Sequence, residues 1–220
     1  MQESLREQQR LRRTDAILDA ARELTLETGY EALTMDALAA RAGVTKPTLY
    51  AHFPNKEAIA VASIVRNIRR GQAGLSQLDP TLSPLAKLEK YFRWALVGKF
   101  VERKIAFGGA PVAVIRTNPE YQVVFQEMMQ SLSAIFEAGK ACGEIAPGLD
   151  TRTALQTFVS VLRDIEYDEL IHSGAVDSDA LVETLTKILI GGLTSPGGTT
   201  ATWVPLGCGK RRGEREIECG

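Results

Sequence analysis

The tightest constraint in this chain is a pair of short amphipathic runs, "TMDALAARAG" and "VTKPTLYAHF", which leave room between them only for a sharp turn. Isolated helices shorter than about 12–15 residues are marginal in water, so neither run is stable except by packing on a neighbour. Thr34 is placed to cap the first, Asp36 suits its first turn, and Gly43 fits the C′ position, where a left-handed backbone ends a helix. Thr45 caps the second, with Pro47 tolerated in its first turn. Val44 reads as the buried plug of the turn. The pattern predicts a helix-turn-helix over about residues 33–53.

The second run has an unusual outer face. Leu49 and Phe53, four apart, share the inward side. Pro47, Thr48 and Ala51 then point outward, flanked by Lys46 and Tyr50. Small outward residues let a helix backbone approach another surface closely, and a DNA major groove accepts a helix of this kind. Thr and Ala methyls can meet thymine methyls there, and Lys46 can reach a guanine edge or a phosphate. Tyr50 and His52 can donate to phosphate oxygens, which position a protein without reading sequence. Asn55 and Lys56 open the next helix, whose free N–H groups favour an anion, and the capped start at Thr34 does the same.

The rest of the chain reads as helix. "TDAILDAARELTLETG" places Ile17, Ala21 and Leu24 on one face, with Thr14 as a cap and Gly29 as a stop. "PNKEAIAVASIVRNIRR" follows with Asn55 as its cap. Residues 71–83, "GQAGLSQLDPTLS", read as a turn-rich break between two domains. Beyond it come "PLAKLEKYFRWALVGKF", a broken helix "VERKIAFGGAPVAVIRTN", a long amphipathic helix opened by Pro119, and two further helices over 150–172 and 177–193. From Ser195 the composition turns to Gly, Thr and Pro and then to charge, which predicts a disordered tail over 195–220.

Charge is nearly balanced overall, with 26 Lys+Arg against 27 Asp+Glu, but it is unevenly spread. Residues 1–70 carry eleven basic and nine acidic side chains; residues 71–195 carry eleven and fifteen. A mildly basic front suits a nucleic-acid partner. The three cysteines, Cys142, Cys208 and Cys219, have no metal-ligand spacing and fit a reducing compartment. No window approaches the roughly 20 apolar residues of a membrane span, so the expected location is cytoplasmic.

The stretch "ILDAARELTLETGYEALTMDALAARAGVTKPTLYAHFPNKEAI" resembles the DNA-binding domain of TetR-type transcriptional regulators. The likeness covers roughly residues 10–70, and "TLYAHF" with "NKEAI" is its most diagnostic part. It implies an all-α fold: a three-helix DNA-binding domain at 10–70, then a larger helical regulatory and dimerisation domain at 80–193. It places Thr34, Thr45, Lys46, Pro47, Thr48, Tyr50, His52 and Lys56 at the DNA-contacting positions. The implied function is a homodimeric repressor bound to a pseudopalindromic operator on double-stranded DNA and released by a small-molecule inducer, with no cofactor.

In the second domain, Tyr91, Trp94, Phe107, Phe125, Met128 and Met129 are candidates to line an apolar inducer pocket, although such residues also make ordinary core. Arg93 and Arg116 could meet a ligand carboxylate. Apolar stripes on the last two helices (Leu155, Phe158, Val159, Leu162; Leu181, Leu185, Ile188, Leu189) suggest a dimer interface, or else internal core. Arg6, Arg10, Arg12 and Arg13 form either a solvated face or a minor-groove arm. Two other classes are alternatives. An all-α metalloenzyme would use Glu169-x-x-His172, half of a di-iron motif, but the chain has only two histidines. A helical adaptor without DNA binding is opposed by the intact set Lys46, Tyr50 and Lys56.

Overall fold

The computed structural model describes residues 2–102, 112–163 and 166–194, and no strand occurs among them. Ten α-helices are described: α1 (Gln2–Thr28), α2 (Met35–Arg41), α3 (Lys46–His52), α4 (Lys56–Ser76), α5 (Pro84–Leu96), α6 (Val112–Thr117), α7 (Pro119–Ala141), α8 (Thr151–Arg163), α9 (Glu166–His172) and α10 (Ser178–Gly191). A π-helical turn, Val97–Val101, continues α5. The all-α expectation holds. The predicted tail at 195–220, with Cys208 and Cys219, lies outside the described residues, as does Phe107.

Two apolar cores organise the molecule. The first gathers Ile17, Ala21 and Leu24 of α1, Leu38 of α2, Leu49 of α3 and Ile59, Ala60 and Val65 of α4. Ile115, Tyr121 and Val124, from α6 and the start of α7, complete it. The second gathers Leu88, Phe92 and Leu96 of α5, Leu132 and Phe136 of α7, Leu155 and Phe158 of α8, and Leu181 and Leu185 of α10. Phe92 and Phe158 stack at its centre, 4.0 Å between ring centroids. Ile68 of α4 and Phe125 of α7 pack against both cores, so these two helices tie the N-terminal head to the larger bundle.

Three features depart from the sequence reading. Thr14 does not cap α1, which is already helical from Gln2. The break expected at residue 71 begins later: α4 continues to Ser76. Gly71 is instead a point of close approach, because a Cβ there would lie 2.8 Å from the Trp94 ring. The apolar stripes on the last helices are mostly internal: Leu155, Phe158, Val159, Leu181 and Leu185 are buried in the second core, Leu162 and Leu189 are half-buried, and only Ile188 is well exposed, at 63 %.

Candidate nucleic-acid interface

The helix-turn-helix is built as its spacing predicts. Thr34 Oγ1 accepts from the Ala37 N–H at 3.2 Å, and Thr45 Oγ1 from the Thr48 N–H at 3.3 Å. Each cap contributes about 1 kcal/mol to helices too short to stand alone. Gly43 adopts φ +64°, the left-handed turn where a Cβ is disfavoured. Val44 is half-buried against the first core. Leu49 is fully buried and Phe53 nearly so, which fixes the rotation of α3. Thr45, Lys46, Pro47, Tyr50 and Ala51 are consequently exposed, Tyr50 by 51 %, and Thr48 is half-exposed. The outer face of α3 is thus the one derived from its wheel.

The charged residues of that face are held by the chain itself. Lys46 Nζ donates to Asp36 Oδ2 at 2.7 Å, and this bond raises the Lys46 pKa. A phosphate or base contact by Lys46 therefore exchanges one anionic partner for another. Lys56 is more deeply engaged than its sequence position suggested. Its Nζ lies 3.4 and 3.3 Å from the carbonyl oxygens of Tyr30 and Glu31, and 4.7 Å from the centroid of the Tyr30 ring. Only a quarter of its side chain is exposed, so Lys56 also braces the loop that leaves α1. Asn55 caps α4 through the Ala58 N–H at 2.8 Å.

His52 is half-buried at the end of α3, with Nδ1 3.0 Å from Thr14 Oγ1 on α1. Burial, then the positive charges of Arg10 and Arg13, hold its imidazole below the usual pKa. Sequence reasoning had no signal for this α1–α3 tie, since the residues are 38 apart. It also missed Arg66 on α4, which clamps α1 by bonding Asp15 at 3.0 Å and Asp19 at 2.8 Å. The N-terminal head is therefore held as a unit around α3.

The candidate ligand residues come together only in part. Tyr91 and Met128 are buried, and the Tyr91 hydroxyl donates to Met128 Sδ at 2.9 Å. Burial also pushes the Tyr91 phenol pKa upward. Trp94 lies tilted against Tyr91, 5.9 Å between centroids, and is 42 % exposed. Phe125 stacks on Tyr121 at 5.4 Å, and Met129 is half-buried in the second core. Arg93 is paired with Glu183 at 2.8 Å. A charged residue not singled out from sequence, Lys99, lies buried in the π-helical turn 3.2 Å from Asp168.

Among the described residues no three His, Cys, Asp or Glu side chains gather as a metal site. His172 Nδ1 lies 2.6 Å from the Asp168 carbonyl oxygen on its own helix. No described helix is long and apolar enough to cross a membrane.

Comparison with known proteins places this geometry. Residues 17–62 match the model of bacterial regulatory proteins, tetR family. The HTH-type transcriptional regulator EthR of Mycolicibacterium smegmatis is 26% identical over 213 residues, covering 85% of this chain and 89% of the relative. The fatty acid degradation regulator FadR from Bacillus halodurans superposes with a TM-score of 0.67 at 24% identity, over 82% of this chain and 95% of that one. AibR, solved in complex with isovaleryl coenzyme A and operator DNA, superposes with a TM-score of 0.61 at 21% identity, over 81% and 98%. The structural likenesses establish the fold; the relatives are transcriptional regulators rather than enzymes. The head that carries the capped and outward-facing α3 thus matches, over residues 17–62, the tetR family of bacterial regulatory proteins.

Proposed function

We propose that the chain is a one-component repressor that binds a pseudopalindromic operator as a homodimer and is released by a small-molecule inducer. The observation that carries this reading is the construction of α3. Its inner side is fixed by buried Leu49, while Lys46, Pro47 and Tyr50 stand exposed on its outer side, where Lys46 is bonded only to the exposed carboxylate of Asp36. Thr34, Thr45, Thr48, His52 and Lys56 surround it and would take phosphate oxygens or support those that do. Two such heads, related by a two-fold axis, would match two half-sites about one helical turn apart.

The outer faces of α8 and α10 support self-association. With the larger apolar residues turned inward, Gln156, Thr157 and Ser160 on α8 and Ala180, Thr184 and Ile188 on α10 remain exposed. Mostly small, uncharged side chains around one large apolar residue suit close packing of a second copy, with Ile188 central. A ligand acts only as far as it prefers one spacing of the heads over another. The helices α4 and α7, which enter both cores, are the physical route for that preference. The inducer's chemistry is proposed from the likeness to AibR, so acyl-coenzyme A thioesters are the first class to test.

Selection of duplexes from a randomised library tests this reading. Enrichment of an inverted repeat, with binding weakened by isovaleryl coenzyme A or a longer acyl thioester, is the expected result. Enrichment of a single unrepeated half-site would contradict the dimer. Retained binding under every thioester would contradict that ligand class.

A further inference from the structure

The first turns of α1 project beyond the head's own packing. Ile17 is the first buried residue, and from Leu5 to Arg13 every side chain is exposed. At 1.5 Å per residue this is a projection of about 13 Å. Leu5 and Leu11 are exposed on it, by 55 % and 60 %, so the projection is not held by apolar contacts.

Its arginines are not placed as an ordinary solvated face. At about 100° per residue, Arg10 and Arg13 continue the stripe of Ile17, Ala21 and Leu24, the side of α1 that faces the core further along. Arg6 lies on the same stripe nearer the tip, where the neighbouring Glu7 offsets its charge. The positive part of the stripe is therefore the Arg10–Arg13 end. That end is next to α3: Thr14 Oγ1 meets His52 Nδ1 at 3.0 Å, and Arg10 and Arg13 are the two charges that act on the His52 ring.

Three arginines of the head are satisfied within the chain. Arg41 bonds Glu27, Arg66 bonds Asp15 and Asp19, and Arg69 bonds Glu120. Among the described residues neither Arg10 nor Arg13 ends on a carboxylate. A helix thus holds two guanidinium groups near the end of the reading helix, with no carboxylate partner among the described residues. Planar, always-charged guanidinium groups match phosphate oxygens.

We infer that the N-terminal turns of α1 are a second DNA-contacting element, in which Arg10 and Arg13 clamp the phosphate backbone beside the groove entered by α3. The clamp adds affinity without reading bases. It rests on the reading of α3 as a DNA helix, and its test separates the two.

The probe is a duplex enriched from a randomised library by the unaltered protein, titrated by fluorescence anisotropy at several salt concentrations. The double variant Arg10→Ala/Arg13→Ala should keep its preference for that duplex over a scrambled one. Its slope of log affinity against log salt should fall by about 2 per head. Lysine at both positions should restore most of the slope. An unchanged slope overturns the clamp, and so does a lost preference, since the arginines would then be reading bases or shaping α3. Because both side chains are exposed, the urea midpoint should not move; a shifted midpoint with an unchanged slope also overturns the clamp. The α3 reading fails separately if Lys46→Ala/Tyr50→Ala binds the same duplex as the unaltered protein does. A library that enriches nothing overturns both.

Discussion

Replacing Gly71 by alanine sets two effects of known sign against each other. Gly71 is buried in α4, five residues before its end, so alanine should gain about 1 kcal/mol in helix propensity. The new Cβ, however, would lie 2.8 Å from Trp94 Cζ3, 3.1 Å from Trp94 Cη2 and 3.2 Å from the Tyr91 hydroxyl oxygen. Carbon contacts are optimal near 3.5–4.0 Å, so the Trp94 ring must retreat by about 0.7 Å or more. Overpacking of this kind costs about 1–3 kcal/mol. Trp94 is partly exposed and can tilt outward, which favours the low end. Tyr91 is 5 % exposed and bonded to Met128, so it yields little. The net expectation is a loss of about 0–2 kcal/mol.

The decisive comparison is the same change in a Trp94→Ala background. There the main obstruction is gone, the propensity gain remains, and Gly71→Ala should become stabilising by up to about 1 kcal/mol. Urea unfolding at constant m-value reads both steps, and the cycle should show a coupling of about 1–2 kcal/mol. A full gain of about 1 kcal/mol in the unaltered protein would refute the close contact with Trp94. An equal loss in both backgrounds would show that the backbone itself requires glycine.

Three further outcomes follow from the same geometry. Leu49→Ala, which empties a fully buried position under α3, should cost about 2–5 kcal/mol in urea unfolding, whereas Thr48→Ala should cost no more than about 1 kcal/mol and alter sequence preference in a library selection. His52 has a folded-state pKa below its usual 6.5, so the unfolded chain binds the proton first; its contribution to stability is complete above that value and is lost as pH falls through it. His52→Gln should flatten the pH dependence of the urea midpoint between about pH 5 and 7, and an unaltered profile would contradict the assignment. Ile188→Asp should weaken self-association at least about tenfold in sedimentation equilibrium, because a carboxylate would enter the proposed interface.

The local architecture of the head was legible in the sequence because short-range chemistry determines it. Caps at Thr34, Thr45 and Asn55 act within three residues, and the positive φ of Gly43 is required by the turn it makes. The inward pair Leu49 and Phe53 sets the outward face of α3 by helix periodicity alone. What stayed hidden depends on contacts between distant segments. Gly71 looked like a helix breaker because its small size answers to Trp94, 23 residues on. The stripes of α8 and α10 looked available to a partner because the residues that cover them, such as Phe92, come from another helix. Lys56 looked free for phosphate, yet its closest partners are carbonyls of the preceding loop. Periodicity gives a face its direction but does not say which element covers it.

DNA recognition by α3 is best judged by fluorescence anisotropy on a library-enriched duplex, comparing the unaltered protein with Lys46→Ala/Tyr50→Ala across a salt series. Both side chains are exposed on α3, so the variant should unfold at the same urea concentration. It should nevertheless lose most of its preference for the enriched duplex and have a shallower salt slope. Undiminished, equally salt-sensitive binding by the variant would show that DNA is held elsewhere on the protein and that the outer face of α3 serves another partner.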